Sequence, residues 1–390
     1  MITFPPNVEQ IVDSVYPITR QMLANELASI ERPLYFIFIA FELAFLLWFY
    51  YSGLSARLRT RLESSIGSPF LRAAVFVAII FVGLSIVLLP LTYYAGFVLP
   101  HEFGLSGETF GRWIRDWFVG LAVSGAIAAI VGALFLRIVA RFRAWPAIAA
   151  AGAAVLLVFG SAIYPVFIAP LFNKFTPLTP SHLTRAILKL AAEQGIDASV
   201  VYEYNMSLQT REANAFVAGL GKTERIAVGD NLLRGMQPDE VLYVMAHEIG
   251  HYKLGHLWLG TFEGWIGSVL AIVLVAIVGT RLITRNPAFS RDLSDPAAVP
   301  LVVTLLIVFQ VVTAPVANAL SRNIEHAADV FASKHTHLGD AGVRAQARLA
   351  SMDLSPLHPS PLAVWYFYTH PPTDQRIMDA ARAAGLAQKQ

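Results

Sequence analysis

The most informative stretch of this chain is Pro238-Asp-Glu-Val-Leu-Tyr-Val-Met-Ala-His247-Glu248-Ile249-Gly250-His251. A proline followed by two acids is the pattern of the first turn of an α-helix. Residues four apart lie on one helical face, so His247 and His251 can present imidazole nitrogens to one metal ion, with Glu248 beside its bound water. The alternative is a polar helix face that carries two hydrogen-bonded histidines.

A third metal ligand is expected from another part of the chain. A catalytic zinc ion takes three protein ligands and keeps a fourth position open for water. Since the chain has no cysteine, the ligand must be His, Asp or Glu. Glu325 and Asp329 are four apart, and we expect Glu325 to bind the metal while Asp329 accepts the outer N–H of a ligand histidine. His326 competes with Glu325 but lies about 100° around the helix; alternatively, both acids are simply solvated.

The composition is that of an integral membrane protein. Of 390 residues, 56% are hydrophobic and 14% are charged, and the mean hydropathy is +0.56. A formal net charge of +2 without a Lys/Arg-rich block gives no indication of nucleic-acid binding. The first 30 residues carry acids and amphipathic spacing, so we expect no cleaved signal peptide.

Six apolar stretches can cross a bilayer, which takes about 20 residues. They are Leu34 to Tyr51, Ala73 to Leu99, Trp117 to Leu136, Ala147 to Ala169, a fifth around Trp265 to Val278, and Val299 to Leu320. The fifth is short, and we expect it to extend back through Leu257 and to continue the helix of His251. This predicts a transmembrane domain at 1–172 with four spans, and a second domain at 173–390 with spans at 257–280 and 297–320 and a polar tail.

The segment between the fourth and fifth spans has the mixed charge of a soluble region. Helical spacing is found at Ser181 to Gln194, and strand-like patterns are found at Val200 to Tyr204 and Arg225 to Val228. Asn214 to Gly219 precedes a Gly221-Lys-Thr-Glu224 turn, which predicts a β-hairpin. The catalytic residues are therefore expected in and around this segment.

Arginines gather in alternate loops between the spans. They are Arg57, Arg59, Arg61 and Arg72 in the first loop, Arg137, Arg141 and Arg143 in the third, and Arg281, Arg285 and Arg291 in the fifth. With six spans these loops share one side, which the positive-inside rule makes cytoplasmic. The catalytic face would then be non-cytoplasmic, in the plasma membrane if the source is prokaryotic.

Several motifs occur together and in order. His247-Glu-Ile-Gly-His251 with Glu325-His-Ala-Ala-Asp329 resembles the M48 metallopeptidases. Tyr164-Pro-Val-Phe-Ile-Ala-Pro-Leu-Phe-Asn-Lys-Phe-Thr-Pro-Leu178 is similar to the segment that enters the catalytic domain of the Ste24-type CAAX prenyl proteases. Further motifs of that group are matched by His101-Glu-Phe-Gly-Leu-Ser-Gly107, Asn214-Ala-Phe-Val-Ala-Gly219 and Thr369-His-Pro-Pro372.

This resemblance implies a mainly α fold. A polytopic helix bundle would form an intramembrane chamber, with a gluzincin-type zinc peptidase domain that contains a small β-hairpin or sheet. One Zn²⁺ per chain is implied, and a peptide would add as a strand along Phe216, Val217 and Ala218. The resemblance also implies that His370 donates to the oxyanion and that Asn214 holds the substrate backbone. Arg322 and Arg376 are expected to make structural ion pairs with acids such as Asp329 or Asp374, and Arg322 is expected to support the metal site in this way.

The sequence thus predicts a membrane-embedded zinc endopeptidase. Glu248 would take the proton of the attacking water and pass it to the leaving amine. The expected substrates are membrane-associated or lipid-modified, CAAX-like peptides. The alternatives are membrane-protein quality control, as in HtpX-type relatives, and a noncatalytic zinc-stabilised scaffold, although Glu248 would be superfluous in a scaffold. Besides substrate the only expected partner is the lipid bilayer, and no oligomer is implied.

Overall fold

The computed structural model describes residues 2–219 and 224–388. The first part of the chain is helical and contains α1 (Pro6–Val15), α2 (Ile18–Tyr51), α3 (Leu54–Ser65), α4 (Pro69–Tyr93), α5 (Leu99–Glu102), α6 (Phe110–Arg141) and α7 (Trp145–Ile163). The second part contains α8 (His182–Glu193), α9 (Asp230–Gly235), α10 (Pro238–Lys253), α11 (His256–Leu274), α12 (Thr280–Arg285), α13 (Val299–Thr336), α14 (Ala341–Met352), α15 (Pro361–Phe367) and α16 (Thr373–Ala383).

Six helical segments among the described residues are long and apolar enough to cross a membrane. They are Ile18–Tyr51, Pro69–Glu102, Phe110–Arg141, Trp145–Leu171, His256–Arg285 and Pro296–Thr336. The six predicted spans are therefore confirmed, although the helices extend beyond them. Only 11–33% of the most apolar window of each span is buried inside the protein, so most of these side chains face lipid or an interior space.

Helix α11 is separate from the helix that carries the paired histidines, so the predicted continuity of the two was wrong. α10 ends at Lys253, and Gly255 adopts a left-handed conformation with φ of +70° before α11 begins at His256. Glycine adopts this conformation without the steric cost that other residues incur. The chain can therefore turn sharply between the soluble region and the fifth span.

A four-stranded sheet lies beside α10. Its strands are β1 (Phe175–Pro177), β2 (Val201–Tyr204), β3 (Ala215–Ala218) and β4 (Arg225–Gly229), in the order β1-β2-β4-β3. β3 and β4 are antiparallel, with Phe216 opposite Ala227, which confirms the predicted hairpin. The turn predicted at Gly221 to Glu224 lies, except for Glu224, outside the described residues. β1 was not predicted because it is only three residues long and ends in proline.

Helix α10 forms the centre of the soluble core. Met245 and Ile249 are fully buried and pack with residues of β4 and α13, including Val228 and Phe331. A Cβ atom at Gly250 would lie 2.9 Å from Cδ1 of Phe331, so only glycine allows α10 and α13 to approach this closely. This contact sets the two helices side by side at the level of His251 and Glu325.

The N-terminal helix α1 belongs to the same end of the molecule as the soluble core. Val8 and Val12 are buried against residues of α14 and α16, such as Val343 and Ile377. At the opposite end, the first and fifth loops are joined by ion pairs between Arg59 and Asp295 and between Arg291 and Glu63. The two arginine-rich loops therefore meet at the end of the bundle that is remote from the peptidase core.

Candidate active site

The first turn of α10 is anchored by a buried carboxylate. Glu240 is fully buried and accepts a hydrogen bond from the backbone N–H of Gln237 at 2.9 Å, which caps the helix. The guanidinium groups of Arg344 and Arg348 on α14 also donate to this carboxylate, with Nε to oxygen distances of 3.2 and 2.8 Å. The helix that carries the two histidines is thereby fixed in position.

Three ligand atoms converge where α10 faces α13. Nε2 of His247 lies 3.0 Å from Nε2 of His251 and 3.1 Å from Oε2 of Glu325, and the remaining distance, from His251 to Glu325, is 3.5 Å. Ligands of tetrahedral zinc, with bonds of about 2.0–2.1 Å, lie about 3.3 Å apart. The three side chains that the sequence predicted as ligands therefore fit a zinc ion, and together they form a candidate metal centre. His326 instead faces Asp379, at 3.6 Å.

Asp329 orients the first of these histidines. Its Oδ1 lies 2.9 Å from Nδ1 of His247, and Asp329 is 4% exposed. If Nδ1 donates this hydrogen bond, the lone pair of the neutral ring is on Nε2 and points toward Glu325. Burial lowers the pKa of His247, but the hydrogen bonds with Asp329 and Glu325 outweigh burial and raise it to about 9. These acids thus favour a cation at this position, either a proton or a metal ion.

The second histidine has a partner that the sequence did not indicate. Nδ1 of His256 lies 3.0 Å from Nδ1 of His251, and His256 is 9% exposed. The turn at Gly255 folds this first residue of α11 back onto His251. When His251 donates from Nδ1, its Nε2 is free to act as a ligand.

The metal centre opens into a cavity of about 450 Å³. His247, Glu248, Asn214 and His370 all line it. Burial raises the pKa of Glu248, and the neighbouring imidazoles oppose this effect. Nε2 of His370 lies 3.1 Å from Oε2 of Glu325, and the side chain is half exposed. The structure therefore brings a carboxylate, an amide and a third imidazole to the edge of the candidate metal centre.

The strand β3 leads into this cavity. Asn214 precedes β3, and its backbone carbonyl accepts a hydrogen bond from the N–H of Gly229 at 2.9 Å. Phe216, Val217 and Ala218 lie within β3 and are half-buried. Among the described residues β3 pairs only with β4, so it forms an edge of the sheet beside the cavity.

Comparison with known proteins identifies the family of this chain. A family model described as peptidase family M48 matches residues 177–384, which is more than half of the chain. The chain belongs to peptidase family M48. A second model, described as CAAX prenyl protease N-terminal, five membrane helices, matches residues 32–174, where the structure has four helices of spanning length. The predicted domain boundary at residue 172 stays a prediction, although the two matches meet close to it.

Relatives of this M48 chain cover most of its length. The uncharacterized metalloprotease YhfN of Bacillus subtilis is 29% identical over 94% of this chain and 87% of the relative. CAAX prenyl protease 1 of Saccharomyces cerevisiae is 30% identical over 75% of this chain and 68% of the yeast protein. The crystal structure of S. mikatae Ste24p matches with a TM-score of 0.82 and 26% identity, covering 97% of this chain and 91% of that one. The resemblance and fold class are confirmed: this is an integral, multi-pass membrane metalloprotease.

The two arginines near the site of this M48 peptidase have different partners. Arg376 pairs with Asp329, with distances of 2.8 Å from Nε and 2.7 Å from Nη2. Arg322 does not bind an acid as predicted, since its Nη1 donates to the backbone carbonyls of Val364 and Tyr368 at 3.0 and 2.7 Å. It therefore holds the segment that leads to His370, and Arg376 supports the metal centre.

Two cavity residues of the M48 site carried no signal in the sequence. Nε2 of Gln346 donates to Oδ1 of Asp329 at 3.1 Å. Asp353 accepts a hydrogen bond from the N–H of Ala213 at 2.8 Å, just before β3, and burial raises its pKa to about 7. Both lie on or after α14, far from any motif, so only the fold shows that they line the cavity.

Proposed function

We propose that this M48 metalloprotease is a zinc endopeptidase that cleaves membrane-associated or lipid-modified peptides. The observation that carries the proposal is the convergence of His247, His251 and Glu325 beside a cavity that His247 and Glu248 line. A structural zinc site would complete its coordination with a fourth protein ligand and would not need a carboxylate base beside it. The CAAX prenyl protease names of several relatives support lipid-modified substrates.

The substrate peptide adds to the free edge of β3. Backbone hydrogen bonds along Phe216, Val217 and Ala218 hold an extended peptide, as in other cases of strand addition. Asn214 stands where β3 enters the cavity, so its side chain amide binds the peptide backbone beside the scissile bond. The peptide is thereby directed toward Glu248.

The reaction is the addition of water to a peptide carbonyl. A bound zinc ion supplies Lewis acidity and lowers the pKa of a water molecule. Glu248 accepts a proton from the attacking water and delivers it to the leaving amine. His370 donates a hydrogen bond to the oxygen that gains negative charge. Asp329 and Arg376 keep His247 in its ligand orientation throughout.

The test is peptide cleavage by purified protein in detergent, with the Glu248→Gln variant for comparison. We expect wild type to cleave a farnesylated CAAX peptide, a chelator to abolish cleavage, and zinc to restore it. Glu248→Gln should retain about one zinc per chain and lose 10²-fold to 10⁴-fold in rate, because general-base catalysis contributes about that much. Undiminished cleavage by Glu248→Gln would disprove the mechanism. Equal cleavage of an unmodified peptide would rule out recognition of the lipid.

The catalytic face is proposed to be non-cytoplasmic. The ion pairs of Arg59 and Arg291 place the first and fifth loops at the end of the bundle remote from the metal centre. The positive-inside rule assigns that end to the cytoplasm. A reporter fused to the C-terminus should therefore be active only outside the cytoplasm, and a cytoplasmic signal would overturn this orientation.

A further inference from the structure

A second cavity, of about 240 Å³, lies at the end of the bundle remote from the metal centre. It is bounded by α3, by the first turns of α4, by the end of α6 and by the loop before α13. Four arginines line it, and together they define what is called here the arginine pocket: Arg59, Arg72, Arg137 and Arg291. They come from four different segments, so only the tertiary structure assembles this group.

Hydrogen-bond donors in the arginine pocket exceed the available acceptors. Nε of Arg59 is buried and has no hydrogen-bond partner, which is rare in native structures and costly unless a ligand supplies an acceptor. Among the residues that the structure describes, the guanidinium groups of Arg72 and Arg137 take part in no ion pair or hydrogen bond. Arg72 is half-buried and Arg137 is exposed at the mouth of the pocket.

The acids of the pocket are already occupied. The carboxylate of Asp295 pairs with Nη1 of Arg59 at 2.6 Å. It also accepts hydrogen bonds from the backbone N–H groups of Arg291 and Ala297, each at 2.9 Å. Glu63 is held by both terminal nitrogens of Arg291, at 2.9 and 3.1 Å. Asp292 is the third acid of the lining, and it accepts from the backbone N–H and hydroxyl of Ser294. Four arginines against three acids leave a net charge of +1 and two free guanidinium groups.

The rest of the pocket is apolar and lies where the spans end. Its wall includes Phe70 and Ala140, which are exposed in the first turn of α4 and the last turn of α6, and Phe76 and Leu136 are buried behind them. The first turn of α4, a helix of 25 residues, also lines the pocket, so the positive end of that helix dipole lies beside it. A cluster of positive side chains beside an apolar surface at a membrane interface is suited to bind an amphiphile with an anionic head group.

We propose that the arginine pocket binds the phosphodiester of an anionic phospholipid, with its acyl chains along the exposed apolar surface at Phe70 and Ala140. Arg72 and Arg137 bind the phosphate oxygens, and Nε of Arg59 donates from the floor of the pocket. Guanidinium groups suit this role because their N–H donors match the spacing of phosphate oxygens. A bound lipid would join α3, α4, α6 and the loop before α13, and thus stabilise the bundle.

The test is lipid binding by the full chain purified in neutral detergent. Phosphatidylglycerol is titrated while native mass spectra and thermal stability are recorded, with phosphatidylcholine and inorganic phosphate in parallel. The variant is Arg72→Gln with Arg137→Gln. Its matched control is Arg141→Gln with Arg143→Gln, which removes the same charge at the same end of the bundle but outside the pocket lining.

We expect phosphatidylglycerol to bind and raise the melting temperature of wild type, and phosphatidylcholine to do neither. The affinity for phosphatidylglycerol should fall about tenfold or more in the pocket variant and stay within about twofold in the control. An equal loss in both variants would show a diffuse surface effect and overturn the site. Stabilisation by inorganic phosphate alone, with the same dependence on Arg72 and Arg137, would overturn the lipid as the ligand.

Discussion

Asp329 has two roles behind the metal centre: it pairs with the buried guanidinium of Arg376, and it orients His247. Replacing Asp329 by asparagine should affect both. Four donor atoms converge on this carboxylate: Nδ1 of His247, two guanidinium nitrogens of Arg376, and Nε2 of Gln346, at distances between 2.7 and 3.1 Å. An asparagine has the same shape but only one acceptor oxygen. Its NH₂ group would face the donors of Arg376, and the charge of that buried guanidinium would lose its partner.

The magnitudes follow from these contacts. Breaking a buried ion pair from one side costs about 3–5 kcal/mol, because an uncompensated charge is left in the interior. Loss of the carboxylate that orients a ligand histidine costs about 10-fold to 100-fold in metal affinity. Asp329→Asn should therefore lower both the free energy of unfolding and the affinity for zinc.

A second substitution distinguishes these effects. Replacing Arg376 by methionine in the Asp329→Asn protein removes the unpaired charge and leaves only a neutral buried amide, whose unmade hydrogen bonds cost less than a buried charge. Stability of the metal-free protein, measured by thermal unfolding with excess chelator, should rise above that of the single variant, to within about 1–3 kcal/mol of wild type. Zinc affinity, measured by competition with a chromophoric chelator, should remain at least about tenfold weaker. If zinc affinity recovered along with stability, the inference that Asp329 orients His247 would be wrong.

Three further substitutions test other parts of the fold. His256→Ala should weaken zinc binding about tenfold, measured by chelator competition, because His251 loses the partner of its Nδ1; unchanged affinity would contradict this. Gly250→Ala should lower stability by about 1–3 kcal/mol through contact with Phe331, and an unchanged melting temperature would show that the helices can separate freely. Asp353 binds a proton in the native state up to about pH 7, whereas an unfolded aspartate loses it near pH 4. Its contribution to stability is therefore lost as pH rises between these values, and Asp353→Asn should flatten the melting temperature over that range.

Much of the fold was predictable because its signals are local. A run of about 20 apolar residues can be assigned to a membrane without knowing what it packs against, because its length and hydrophobicity alone match the hydrocarbon core of a bilayer. The same holds for Pro238 to His251, where helical periodicity alone puts His247 and His251 on one face. The hairpin around β3 and β4 was predictable from two strand-like runs and the turn residues between them. Local patterns did not reveal β1, which is defined by its pairing with β2.

The amino-acid sequence by itself determined the six spans, the placement of His247 and His251 on one helical face, and the choice of Glu325 over His326 as the expected third ligand. Only the tertiary structure decided which residues stand behind them. His256 reaches the metal centre across the turn at Gly255. Of the two arginines expected to pair with an acid, Arg376 binds Asp329, whereas Arg322 binds backbone carbonyls. The arginine pocket is a second example. The sequence shows that alternate loops are rich in arginine, but it does not show that these arginines line one cavity, because that depends on how helices distant in the sequence pack.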